Sequence, residues 1–85
     1  MAPVDIAHTV KNYILEEFLP GENPAAVNET TPLITGGILD SIGTIKLVAF
    51  LEKQYQIEFK AHEFKDNLEN IASIVSIVGK KVAAK

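Results

Sequence analysis

The stretch from Leu19 to Asp40 constrains this chain more than any other. It contains Pro20, Gly21, Pro24, Pro32, Gly36 and Gly37 and no sustained hydrophobic period, and each of those residues punctuates regular structure. On both sides of it, apolar residues recur at helical spacing. The chain therefore reads as helices joined by one long loop, and its 85 residues suffice for one small domain. Connections longer than about fifteen residues are uncommon in compact domains and usually have a function. Val27, Leu33, Ile34, Ile38 and Leu39 give this one apolar anchors with which to fold back onto a helical core.

Before the loop, Ile6, Val10, Ile14 and Phe18 recur every fourth residue, with Tyr13 on the same face. That spacing predicts an amphipathic helix from about Pro3 to Phe18. Pro3 suits a first-turn position, Asp5 is favourable near the positive helix end, and Pro20-Gly21 supply a stop. At the other end of the chain, Ile71, Ile74, Val75, Val78 and Val82 follow the spacing i, i+3, i+4, i+7, i+11. They predict a final helix with Asn70 as N-cap and Glu69 beside it. Lys80, Lys81 and Lys85 complement its negative C-terminal end.

A middle helix is expected from Ser41 to Tyr55. A Ser or Asp just before an apolar run satisfies backbone N–H groups that lack an intrahelical partner, and Asp40-Ser41 stands at that junction. At about 100° per residue, Leu47, Val48, Leu51 and Tyr55 form one apolar face, the expected core face, while Ile42, Ile45 and Ala49 form a second strip on the opposite side. A domain this small has little material to cover both, so the second strip is expected to remain partly exposed as a partner surface. Tyr55 to Phe59 alternates apolar and polar but has no second strand to pair with, so it reads as a connector with Ile57 and Phe59 inward. Lys60 to Phe64 reads as one helical turn and Asp66, Asn67, Glu69 and Asn70 as a polar linker. The expected fold is all-α: one domain over residues 1–85, a small four-helix bundle of three main helices and a short third one.

An apolar share of 47% with 22% charged residues is that of a chain that folds. The absence of cysteine excludes disulfides and thiolate metal sites, so any thiol chemistry needs a cofactor. Net charge is −3 and there is no arginine or basic stripe, so nucleic acid is not an expected partner, and basic surfaces are. The start at Met1-Ala2-Pro3-Val4-Asp5 lacks the regions of a secretory signal, and no apolar run reaches the length of a membrane span. The expectation is a soluble, cytoplasmic monomer without a membrane partner. Catalytic chemistry lacks an inventory: His8 and His62 are far apart, and nothing near Ser41 resembles a serine elbow. Gly36-Gly37 lacks the lysine and strand of a phosphate loop, and a lone histidine makes no metal site. Neither enzyme activity nor a metal is expected.

Leu33 to Phe59, with Gly37-Ile38-Leu39-Asp40-Ser41-Ile42 at its centre and Leu47-Val48-Ala49-Phe50-Leu51-Glu52 following, resembles the phosphopantetheine attachment region of acyl carrier proteins and peptidyl carrier domains. The order of elements along the rest of the chain is similar too. The resemblance implies a freestanding carrier in which a phosphopantetheinyl transferase moves 4'-phosphopantetheine from coenzyme A onto Ser41. The arm ends in the thiol this chain lacks. Acyl or aminoacyl groups, loaded by a ligase or synthetase, would ride there as thioesters to downstream synthases or transferases. It further implies that Asp40, Ile42, Ile45, Lys46 and Ala49 meet these partners; Asp40 can equally cap the same helix, and both roles can hold. Gly43 and Lys46 stand where fatty-acid carriers usually have acids, which points to a specialised carrier of fatty acid, polyketide or nonribosomal peptide type. Ile42 replaces the more usual leucine, a volume-conserving change. The alternative is an unmodified helical adaptor that binds a protein through Ile42, Ile45 and Ala49, with Ser41 serving only as a cap.

Overall fold

Three helices carry the regular structure in the computed structural model: α1 (Pro3–Phe18), α2 (Ser41–Tyr55) and α3 (Ile71–Ala83). The structure describes residues 3–21, 23, 25, 27–60, 62, 63 and 67–84, and among these there is no strand. The Cα radius of gyration of 11.8 Å is about what a compact chain of this length has. Among the described residues, no helix is long and apolar enough to cross a membrane.

The bounds of all three helices follow from their periodic apolar faces. Ile6, Val10 and Ile14 of α1 are fully buried, and α1 lies mainly along α3. On α3 the Asn70 side chain accepts the Ser73 N–H at 2.8 Å, as expected of an N-cap. Its buried stripe is Ile71, Ile74, Ile77 and Val78, whereas Val75 and Val82 are only half-buried. Ile77 was not among the expected core residues; the helix is rotated so that its innermost line passes between positions 74 and 78. Leu47, Val48, Leu51 and Tyr55 of α2 complete the core, the leucine and valine side chains each contributing about 1.5–3 kcal/mol by leaving water.

The long loop is bound down at defined points. Val27, Leu33 and Leu39 are buried, and Ile34 and Ile38 pack partly against the same core. Its backbone is tied to the segment preceding α3: Leu33 N donates to the Glu69 carbonyl at 2.6 Å, and Thr35 donates through both its N–H and its hydroxyl to the Glu69 carboxylate. In return Glu29 O accepts the Ala72 N–H at 3.0 Å, satisfying a first-turn donor of α3 that has no intrahelical partner. Gly36 is required at its place, because a Cβ there would run into the Pro32 carbonyl oxygen.

After α2, Gln56 adopts a left-handed conformation (φ 54°) and its N–H reaches back to Glu52 O, the usual way to end a helix, though without the usual glycine. Phe59 is buried and Ile57 half-buried. Glu63 Oε1 accepts the Lys60 N–H at 2.8 Å and forms a 2.9 Å ion pair with Lys81, whose Nζ lies 5.3 Å from the Phe59 ring centre. Lys81 thus anchors the connector as well as complementing a helix end. The expected turn at Lys60 to Phe64 and the polar linker include Ala61, Phe64 and Asp66, which lie outside the described residues, as do Pro24 and Lys85. Among the described residues three helices therefore stand, without the detail of a fourth.

Leu51→Ala should cost about 2–5 kcal/mol in urea unfolding, because it empties a fully buried site, whereas Ile45→Lys on the outer strip should leave the midpoint nearly unchanged. Comparable losses from both would mean that the outer strip is structural. The Lys60 N–H, followed by Lys81, holds the Glu63 carboxyl below the ordinary glutamate range. A depressed native value gives stability that is present above the unfolded-state value and lost as pH falls through the native one. Thermal midpoints recorded downward from about pH 5 should therefore fall less steeply for Glu63→Gln than for the native chain; superimposable curves would exclude this contribution.

Candidate functional site

Burial of Leu39 sets the path by which the loop enters α2. The next residue, Asp40, is exposed and extended (φ −92°, ψ −170°), and its Oδ1 accepts the Gly43 N–H at 2.6 Å. Its carbonyl accepts both the Thr44 N–H, at 2.9 Å, and the Thr44 hydroxyl, at 2.8 Å. Asp40 is the N-cap, and Ser41 is the first residue of the helix. The reading of Ser41 as a cap is corrected accordingly: a carboxylate one residue earlier already occupies the donor that a cap would take. The Ser41 side chain is exposed and makes no hydrogen bond among the described residues.

Beyond Ser41 the outer strip begins at once. Ile42 is 65% exposed and Ile45 60% exposed, and Ala49 continues the line into the solvent. Lys46 is exposed beside them. The structure therefore brings Asp40, Ser41, Ile42, Ile45, Lys46 and Ala49 together on one open side of α2. His8 and His62 are exposed, and among the described residues no group of three or more His, Asp or Glu side chains could hold a metal ion.

Behind the strip, α2 is fastened to α1 by aromatic rings. Tyr13 stacks on Phe50 with centroids 4.0 Å apart and planes 13° from parallel, and meets Phe18 edge-on at 6.0 Å. The Tyr13 hydroxyl donates to the Lys46 carbonyl at 3.3 Å. Burial, and secondarily the Glu17 charge, push the phenol up from its ordinary value, so it remains a donor at neutral pH. On the helical wheel Phe50 falls about 60° outside the core face, so periodicity gives it no inward role.

Gly43 changes meaning in this setting. Read as a surface position lacking the usual acid, it is in fact buried. A Cβ there would come within 3.1 Å of both the Phe18 ring and Asp40 Oδ1, tighter than most side-chain contacts, so packing gives its missing side chain a reason besides partner charge. Of the two departures from the carrier pattern, only Lys46 lies on the outside. Lys53, four residues beyond Ala49 and also exposed, extends the same side of the helix. Its spacing was readable in the sequence, since i+4 positions share a face.

Chemically the site offers a free hydroxyl at a helix N-terminus. Asp40 occupies the N–H of Gly43, and first-turn donors favour an anion near that end. No family model matches the chain, and no curated protein does.

The assignment of the cap is testable by stability alone. Asp40→Ala should cost about 0.5–2 kcal/mol, while Ser41→Ala should stay within about 0.5 kcal/mol, as is usual for an exposed residue without partners. Urea unfolding of the two variants checks this, and the reverse order would move the cap to Ser41.

Proposed function

We propose that the chain is a carrier protein modified at Ser41 with 4'-phosphopantetheine. The observation that carries this reading is an exposed serine hydroxyl, relieved of capping by Asp40, at the first position of a helix whose adjoining surface is exposed isoleucine. The residues fit the group: a phosphodiester on Ser41 Oγ would sit at the positive end of a 15-residue helix, where an anion is favoured. When attached, the arm supplies a thiol on which acyl or aminoacyl cargo is held as a thioester. The chain's own residues have other tasks. Ser41 presents its oxygen, which would form the new P–O bond as the pyrophosphate bond of coenzyme A breaks and adenosine 3',5'-bisphosphate leaves, and the serine proton passes to a base that the transferase brings. Asp40 fixes the turn that presents it, and Ile42, Ile45, Lys46 and Ala49 form the surface on which partner enzymes seat.

On this reading the protein catalyses nothing by itself. It serves a ligase or synthetase that loads it and synthases or transferases that unload it, in a specialised fatty acid, polyketide or nonribosomal peptide type pathway. A second reading is favoured by the same exposed isoleucines: an unmodified adaptor that holds a protein on Ile42, Ile45 and Ala49. The two part at Ser41→Ala, which leaves an adaptor with its partner and a carrier without any function.

Incubation with coenzyme A and a broad-specificity phosphopantetheinyl transferase should raise the intact mass by one phosphopantetheine, and Ser41→Ala should abolish the gain. An unmodified chain, under conditions that modify a control carrier, would overturn the carrier reading.

A further inference from the structure

The chain carries a net charge of −3, yet the open side of α2 is not acidic. The helix has three charged residues, Lys46, Glu52 and Lys53. Glu52 is half-buried, and its Oε2 accepts the Phe59 N–H at 2.9 Å, which turns the carboxylate toward the connector. Lys46 and Lys53 are exposed, and no carboxylate of a described residue lies within 4.0 Å of either. Lys46 lies four residues after Ile42, and Lys53 four after Ala49, so apolar strip and cations form one stripe. At its head stands Asp40, whose Oδ1 accepts the Gly43 N–H.

We infer that the enzyme that modifies Ser41 seats on α2 with an apolar patch over Ile42 and Ile45 and with carboxylates opposite Lys46 and Lys53. The inference rests on the carrier reading above. It reverses the expectation drawn from net charge, which favoured a basic partner. Ile42 adjoins Ser41 and Ile45 lies one turn further, so an enzyme that brings a catalytic centre to Ser41 finds both exposed side chains beside it. From the helical rise, Lys46 lies about 8 Å and Lys53 about 18 Å along the axis from Ser41, so the partner's carboxylates stand at about those distances from its own catalytic centre. A basic surface at the same points would meet like charge, which is how wrong partners are rejected.

The test uses the full chain, coenzyme A and the phosphopantetheinyl transferase of the protein's own cell, with kcat/KM measured at low and high salt. The double variant Lys46→Glu with Lys53→Glu should lower kcat/KM about tenfold at low salt, and the gap should close at high salt as screening shortens the reach of the charges. Lys60→Glu with Lys80→Glu, the same change in net charge at exposed positions outside α2, should have no effect, and Lys46→Arg with Lys53→Arg should retain the native rate. If the double glutamate variant does not remain folded by circular dichroism, Lys46→Gln with Lys53→Gln serves instead, with an expected loss of about threefold. Modification at Ser41 that is unchanged or faster in the charge-altered helix overturns this inference and leaves the carrier reading intact. Failure to modify the native chain at all overturns both.

Discussion

The geometry at the start of α2 depends on how the loop's backbone polar groups are satisfied. A connection this long cannot lie on a core with its N–H and C=O groups unpaired. Here the Leu33 N–H, held by the Glu69 carbonyl, and the Thr35 N–H and hydroxyl, held by the Glu69 carboxylate, tie the loop to the residues just before α3. With Leu33 thus fixed and buried, its carbonyl accepts the Leu39 N–H at 2.8 Å, which closes the segment between them and sends Leu39 inward. Asp40 then has one place to go, and from there its carboxylate reaches the Gly43 N–H. The serine is positioned by this sequence of contacts rather than by any bond of its own.

The two-sidedness of α2 has a simple physical origin. The core already contains apolar side chains from three helices, the loop and the connector, and α2 has only its inner face left to contribute to it. Large isoleucines left in water on the other face gain nothing for folding, since exposed apolar surface is at best neutral for stability and favours association. Their presence beside an uncapped hydroxyl is what gives the surface a reading beyond structure.

Much of the fold was legible because helices write their faces into the sequence. The period-four run from Ile6 to Phe18 and the stripe beginning at Ile71 locate α1 and α3, and the wheel of α2 separates Leu47 and Leu51 from Ile42 and Ile45 on spacing alone. What stayed hidden was contact between residues distant in the chain. Glu69 looked like a polar linker residue and proved to be the loop's fastening; Lys81 looked like a helix-end cation and proved to be paired with Glu63. Nothing in periodicity encodes such pairings. Gly43 was misread for the same reason: its neighbour Phe18 is 25 positions earlier. At the candidate site the residue types and their grouping were visible, but which of Asp40 and Ser41 does the capping required geometry.

That buried glycine also sets the terms on which this surface can be redesigned. Charge can be rewritten at 42, 45, 46, 49 and 53, which face outward, but position 43 is closed to any side chain unless Phe18 and the Asp40 carboxylate make room. A graft that copies another helix residue for residue would therefore press on the side chain that caps the turn it was meant to decorate, so new specificity is more simply written around this blank.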